Sequence, residues 1–351
     1  MIPPPPYRVV RRILVAPAVV VGFVAVVVSL PVVVPVAAFV SRYVPGKWRI
    51  LRIVWFLFLY WAVEAVAIVV LFAFWVASGF GYALGRPYWQ DRHYEFLAWL
   101  LRRLVRSAKL TFRIQLVYEG DPPRPSPTGH KRPVLVLSRH AGPGDSLLLM
   151  DGIANRVNRR PRIVLKEFLQ WDPAIDILLN RIPTVFVPRS GGSEELLAAI
   201  RVMAATMGPN DAFVIFPEGG NYTPGRHRRA IEKLRQIGRP DLAERAEVLE
   251  NTLPPRSTGV MTALAALTMP ADVTFVGHAG LEAFEGFGDI WRGMPMDTEI
   301  DVRLWRFPAE DVPPPEGQEE WLFDTWAEID AWITERLEQT AEPFDDPDAY
   351  G

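Results

Sequence analysis

The hydrophobic and polar positions divide this chain into two unlike parts. Ile13–Ser41 carries no charge over 29 positions, and Ile53–Leu84 carries only Glu64. A helix needs about 20 apolar residues to cross the hydrocarbon layer of a bilayer, so each run predicts a membrane helix and the pair predicts a hairpin. Arg8, Arg11 and Arg12 precede the first run, and Trp48, Arg49, Tyr82 and Arg86 flank the second, residue types that favour an interface. A cleaved signal peptide is the alternative for the first run. Its core is longer than the roughly 7–15 apolar residues of such peptides, and a second span follows. Pro17, Pro31 and Pro35 predict kinks and leave a re-entrant path open. Cations stand on both sides of the runs, so their count alone does not orient the hairpin. The expectation is an integral membrane protein with both chain ends, and the domain that follows, on the cytoplasmic side.

The next segment reads "YEFLAWLLRRLVRSAKL". Phe96, Leu97, Leu100, Leu101, Leu104 and Val105 recur at helical spacing, with Arg102, Arg103, Arg106 and Lys109 between them. This predicts a basic amphipathic helix, lying on a membrane interface, packed on a globular domain, or both. From Leu110 the pattern changes. Short apolar runs at Thr111–Tyr118, Val134–Ser138, Arg162–Leu165, Thr184–Val187, Ala212–Phe216, Val273–Gly277 and Glu299–Arg306 predict strands. Helical stretches lie between them at Ser146–Asn155, Pro173–Asn180, Ser193–Met207, His227–Ile237 and Gly259–Thr268, and Trp321–Leu337 predicts a closing helix. The alternation predicts an α/β fold with a mostly parallel central sheet flanked by helices. Pro122–Arg132 is proline-rich and reads as a surface loop. The expected organisation is a membrane-anchoring hairpin (1–85), an interfacial helix (86–109), the α/β domain (110–340) and a disordered acidic tail (341–351).

Composition narrows the chemistry. Half of the 351 residues are hydrophobic and the formal net charge is −2. The charge is uneven. Arg86–Arg113 holds seven basic residues against two acidic, a bias suited to an anionic membrane surface, whereas Ala309–Gly351 holds fourteen acidic residues against Arg336 alone. No nucleic-acid partner is expected. The absence of cysteine excludes disulfides, thiolate nucleophiles and cysteine-bearing zinc sites. The five histidines, His93, His130, His140, His227 and His278, form no H-x-x-x-H pair, which argues against a histidine metal site.

Two strand ends carry candidate chemistry. Val134–Ser138 leads into "RHAGPGDS", where Gly142 and Gly144 let the turn double back and bring Asp145 beside His140. In one reading Asp145 caps the next helix and His140 is a loop residue. In the other Asp145 holds one imidazole nitrogen and leaves the second free to take a proton. Ala212–Phe216 leads into "FPEGGNYTPGRHRR". There Gly219 and Gly220 open the backbone to an anion, with Arg226, Arg228 and Arg229 close behind, or the segment is an ordinary strand-to-helix turn.

Together these blocks resemble the glycerolipid acyltransferases related to 1-acylglycerol-3-phosphate acyltransferase. "HAGPGD" is similar to that family's H-x-x-x-x-D motif and "FPEGGN" to its F-P-E-G block. "VLKEFLQWDPAIDILLNRIPTVFVPRS" resembles the lysine and strand-plus-arginine segments between them, at Lys166 and Arg189. The resemblance spans Leu110 to Pro308. Many members carry Thr-Arg after Glu-Gly, where this chain has Gly220-Asn221. "RAIEKLRQIGRPDLAERAEVLENTLPPRSTGV" resembles the subgroup that includes lysocardiolipin acyltransferase, which implies Arg256 as a substitute phosphate ligand.

The resemblance implies acyl transfer from a thioester, acyl-CoA or acyl carrier protein, to a lysophospholipid hydroxyl at the bilayer, with no cofactor beyond the co-substrate. His140 and Asp145 are the implied catalytic pair. Lys166, Arg189 and Arg256 are the implied phosphate ligands. Glu218, with Gly219, is expected to hold the glycerol part or to organise these cations. The backbone at Gly142–Gly144, or the start of the helix that follows, is an expected oxyanion site. His227 and His278 are expected to be structural or exposed. A hydrolase using Ser138 or Ser146 and a non-enzymatic membrane scaffold are the rival readings, though no G-x-S-x-G elbow is present.

Overall fold

The computed structural model describes residues 5–120, 131–141, 144–188, 193–282 and 287–341. Arg189, most of the proline-rich insert and the acidic tail lie outside these residues. Each of the seven expected strands is present: β1 Ile114–Tyr118, β2 Val134–Ser138, β3 Arg160–Lys166, β4 Val185–Val187, β5 Asp211–Ile215, β6 Asp272–Ala279 and β7 Thr298–Phe307. They form one sheet in the order β1-β7-β6-β2-β5-β3-β4. From β6 through β2, β5 and β3 to β4 every neighbouring pair is parallel. β7 returns antiparallel to β6, and β1 runs parallel to β7.

The helices are α1 Arg8–Ser41, with a π-helical stretch at Arg11–Val15, α2 Arg49–Ala77, α3 Pro87–Phe112, α4 Asp145–Asp151, α5 Pro173–Leu179 and α6 Ser193–Ala205. They continue with α7 Pro224–Gln236, α8 Pro240–Glu247, α9 Ser257–Ala266, α10 Phe287–Gly293 and α11 Gln318–Ala341. Two corrections concern the ends and lengths of elements. Thr111 and Phe112 close α3 rather than open β1, because the amphipathic period of that helix runs on to them. The short α8 and α10 were not anticipated; α8 is only eight residues long, two turns that bury Leu242, Ala243 and Ala246.

Strand β2 shows why the sheet forms. All five of its residues are buried, as parallel strands covered on both faces require. Its side chains alternate. Leu135 and Leu137 join the core under α6, α9 and α11, with Ile200, Met203, Val260 and Trp326. Val134 and Val136 face the other way, against Ile153 and Val214. On α11, Leu322, Trp326, Ile329 and Ile333 recur at helical spacing and are fully buried.

The hairpin is not a free-standing stalk. Its two helices, 34 and 29 residues, are long and apolar enough to cross a membrane. Trp61 Nε1 donates to Val19 O at 2.9 Å and Leu51 N to Ser41 Oγ at 3.1 Å, holding α1 against α2. At points from Arg49 to Leu71, α2 also touches the α/β domain. Arg49 Nη2 donates to Arg292 O at 2.9 Å, Glu64 Oε1 accepts from Ala174 N at 2.8 Å, and Leu71 O accepts from Arg181 Nη1 at 2.8 Å. Arg11 pairs with Asp176 at 2.6 Å, both buried. Outward, Val21, Val28, Val32 and Phe39 are exposed, so α1 presents an apolar flank to whatever surrounds it.

Trp326 is fully buried and its Nε1 donates to Leu253 O at 3.1 Å. Trp326→Ala should cost about 3–5 kcal/mol through the cavity left behind. Thermal unfolding of the purified protein will read this as a lowered Tm; an unchanged Tm would contradict the packing described.

Candidate active site

Parallel strands point their carboxyl ends at one edge of the sheet, so the segments after β2, β3, β5 and β6 converge there. His140 follows β2 and Glu218 follows β5, its neighbour in the sheet. Lys166 closes β3 and His278 lies near the end of β6. Sequence separations of up to 138 residues thus collapse into one cleft.

The turn after β2 brings His140 and Asp145 together. His140 Nδ1 lies 2.8 Å from Asp145 Oδ2. The same oxygen accepts the Ala141 N–H at 2.9 Å, and Oδ1 accepts from Ser146 through both its N–H and, at 3.1 Å, its hydroxyl. The geometry follows the second reading of the motif: Gly144, not Asp145, is the N-cap of α4, no side chain caps the helix, and the Asp145 carboxylate in its first turn engages the imidazole. Gly144 has a φ of +98°, the left-handed region that favours glycine, where the chain turns into the helix. Gly142 lies outside the described residues, and with it part of the expected oxyanion backbone. The Asp145 side chain is 3% exposed and that of His140 is 29% exposed, so the imidazole is the open end of the pair. Among the described residues no protein group bonds its Nε2.

Glu218 is buried between two loops rather than displayed. Oε1 accepts the His140 backbone N–H at 2.9 Å and Oε2 accepts the Leu253 N–H at 3.1 Å. Burial pushes its carboxyl up to about 7, against the opposing charge of Arg139 and these two backbone donors. The segment that carries Leu253 is fixed from behind by Asp330, whose carboxylate accepts from Glu250 N, Asn251 N and Thr252 Oγ1. The Phe216 ring packs 4.8 Å from the His140 ring, centre to centre.

The cations occupy different places. Arg256 donates its backbone N–H to Pro217 O at 2.9 Å, and its guanidinium lies flat against Gly219. A Cβ on Gly219 would come within 2.7–2.9 Å of that guanidinium, which would have to shift, and φ there is +68°, the left-handed region that favours glycine. The structure thus brings Arg256, exposed, to the same loop as the Glu-Gly pair. Lys166 is exposed at the end of β3, near enough for its charge to oppose protonation of His140. Arg189 falls outside the described residues. His227 does not enter the site; its Nε2 contacts Ala246 O at 2.9 Å.

Two buried residues escaped the sequence reading as site components. Arg139 is fully buried, donating to His278 O at 2.6 Å, to Asn251 O at 2.9 Å and to Glu282. Its place at the end of an all-apolar strand was the available signal, since a buried guanidinium needs partners. His278 is buried with Nε2 3.9 Å from Asp145 Oδ2. Burial, then the charge of Arg139, push its imidazole down to about 4, so it is neutral near pH 7.

Below this polar cluster runs a cavity of about 430 Å³. Ser138, Asp145 and His278 line it on the site side, Leu148, Leu149, Ile153, Val276, Val302 and Leu304 form apolar walls between α4 and the sheet, and Arg159, Asp272 and Arg306 also border it. Among the described residues no group of three or more His, Asp or Glu side chains is placed to hold a metal ion.

An imidazole braced by a buried carboxylate, beside an apolar cavity and two exposed cations, suits attack by a hydroxyl on an acyl group. Residues 116–278 match the family model described as Acyltransferase. The match covers a little under half of the chain and marks its α/β part as an acyltransferase domain, in keeping with the glycerolipid acyltransferases that its motifs resemble; the protein is an O-acyltransferase. Among solved structures it is similar to the 1-acyl-sn-glycerophosphate (LPA) acyltransferase, PlsC, from Thermotoga maritima, at 12% identity over 80% of this chain and 99% of that chain, with a TM-score of 0.41. No curated protein matches the chain.

The His140 imidazole is raised above the ordinary histidine range. Burial alone would lower it, but the hydrogen bond and charge of Asp145, with the charge of Glu218, outweigh that. A base must be deprotonated, so acyl transfer should fall as pH drops through this raised value. Asp145→Asn removes the larger raising influences and leaves only the charge of Glu218. The acid limb of kcat/KM should then move to lower pH while the plateau rate drops by about 10²–10⁴. A pH–rate profile checks both; an unmoved limb with an undiminished plateau would refute the pairing.

Proposed function

We propose that this protein transfers a fatty acyl chain from acyl-CoA to the free hydroxyl of 1-acylglycerol-3-phosphate at a membrane surface, a step of phospholipid synthesis. The observation that carries the reading is the 2.8 Å contact between His140 Nδ1 and the buried Asp145, which leaves Nε2 open to the cleft. A lipid hydroxyl is a poor nucleophile. His140 Nε2 takes its proton as the oxygen attacks the thioester carbonyl, and Asp145 holds the ring and stabilises the imidazolium. The tetrahedral intermediate collapses with loss of the thiolate, which recovers the proton from His140. The new ester remains on the lipid, and free thiol leaves.

Lys166, Arg189 and Arg256 bind the phosphate and hold the hydroxyl near His140, where positioning contributes as much as proton transfer. Glu218 acts through the backbone: with one oxygen on the His140 N–H and the other on the Leu253 N–H, it sets the distance between the base and the segment leading to Arg256. The cavity of about 430 Å³ has the size and lining for an acyl chain. The hairpin keeps the enzyme among its lipid substrates, with the α/β domain on the cytoplasmic face where the thioester donor is available. The donor is acyl-CoA in this reading, with acyl carrier protein as the other candidate.

A second acceptor class has its own support. Gly220-Asn221 stands where many relatives carry Thr-Arg, and the Arg256 guanidinium lies on Gly219 instead. A cation shifted in this way suits a larger lysophospholipid headgroup, of the lysocardiolipin or lysophosphatidylinositol type. A serine hydrolase fits poorly, because Ser138 Oγ donates to Arg139 O at 3.1 Å inside the strand end and Ser146 Oγ donates to Asp145.

Thiol release from acyl-CoA across lysophosphatidate, lysocardiolipin and lysophosphatidylinositol tests the reading. Release should require one of these acceptors and be fastest with lysophosphatidate. Ser138→Ala/Ser146→Ala should keep the rate within about tenfold. Acceptor-independent release of free fatty acid, lost in the double variant, would mark a hydrolase instead.

A further inference from the structure

At the end of the hairpin away from its connecting loop, a cavity of about 370 Å³ opens between the start of α1, the end of α2, the loop into α3 and the residues after α5. α5 follows β3 and leads into the parallel β4, so Arg181 sits at the sheet edge opposite His140. Three guanidinium groups line this cavity: those of Arg8, Arg12 and Arg181.

Their charge is not balanced. Asp176 is the carboxylate nearby, and it already serves Arg11 at 2.6 Å, Arg12 at 3.4 Å and Asn180 at 3.1 Å. Arg181 bonds the Leu71 carbonyl and His93, both neutral partners. Among the described residues Arg8 and Arg181 have no carboxylate partner, and the buried Nη2 of Arg12 has no hydrogen-bond partner at all. Burial and then the charges of Arg12 and Arg8 push Arg181 down to about 10, a sign of mutual repulsion. Converging arginines that repel one another are what a phosphate group satisfies, since each planar fork can present two N–H donors to its oxygens.

Trp75 and Leu84 give the cavity an apolar part of its lining. On the segments that carry these residues, Val9, Ile13, Leu14, Phe80 and Tyr82 are exposed. A ligand with a phosphate on one end and hydrocarbon on the other matches both parts.

We propose that Arg8, Arg12 and Arg181 form a second phosphate-binding site, remote from His140, that takes the headgroup of an anionic phospholipid. It would hold the far end of the hairpin against a negatively charged membrane surface. The site is independent of the acceptor assigned to the catalytic cleft.

Full-length protein in detergent should be titrated with dioctanoyl phosphatidylglycerol, dioctanoylglycerol and glycerol 3-phosphate, with bound ligand counted by native mass spectrometry. The phosphatidylglycerol should bind, and Arg8→Gln should weaken it roughly tenfold, the effect of losing one charge-assisted contact. Arg8 is exposed and can be changed without disturbing the core; Arg8→Gln/Arg181→Gln should weaken binding further. Acyl transfer by Arg8→Gln to a short-chain acceptor should match that of the parent. Equal affinity of parent and Arg8→Gln, or equal binding of the phosphate-free dioctanoylglycerol, would overturn the site. Glycerol 3-phosphate binding as tightly as the lipid, with the same loss in Arg8→Gln, would overturn the lipid assignment.

Discussion

The site depends on one buried carboxylate. Asp145 is almost removed from solvent, and a polar group so placed must find partners inside the protein or lose free energy. Its partners are the His140 imidazole, the Ala141 N–H and Ser146. Satisfying the carboxylate therefore fixes the imidazole, the turn that carries it and the first residues of α4 in one step. The parallel sheet makes this possible by delivering the ends of β2 and β5 side by side, so that Glu218 can reach across to the His140 backbone. Behind Glu218, Leu253 is tied to Trp326 and its neighbours to Asp330, so α11 reaches the catalytic cleft through two layers of contact.

Electrostatics separates the roles of similar side chains. His140 and His278 both approach Asp145, yet one is raised and the other is pushed to about 4. The difference follows from the neighbours. His140 meets two carboxylates at a half-open position, whereas His278 is fully enclosed beside Arg139. A neutral, buried imidazole next to a carboxylate can pack and orient but does not compete for the proton. The hairpin adds a second theme. Because α2 touches the α/β domain from Arg49 to Leu71, the apolar flank of α1 and the catalytic edge are held in fixed relation.

Much of the fold was legible in the sequence. The all-apolar runs that become β2 and β5 mark buried parallel strands, and the stripe on α11 marks its buried face. The two apolar runs mark α1 and α2. The sense of β7 and β1 was not legible, because a strand's direction depends on how its connection crosses the sheet and not on its own residues. Within the site, His140 and Asp145 could be paired on the page because a glycine turn joins them. Glu218 could be named, but its use of backbone N–H groups could not be foreseen, since those donors come from segments 78 and 35 residues away. Arg139 and His278 could not be assigned to the site for a related reason: the role of each is defined by what surrounds it in three dimensions. The left-handed backbone at Gly219, with the Arg256 guanidinium lying against it, shows why glycine suits that position.

Acyl transfer here depends on an imidazole that takes the proton from a lipid hydroxyl. The most direct test is thiol release from acyl-CoA with lysophosphatidate as acceptor, comparing the parent protein with a His140→Ala protein of unchanged Tm. The account predicts a fall of at least about 10² in rate. Turnover equal to that of the parent would contradict it.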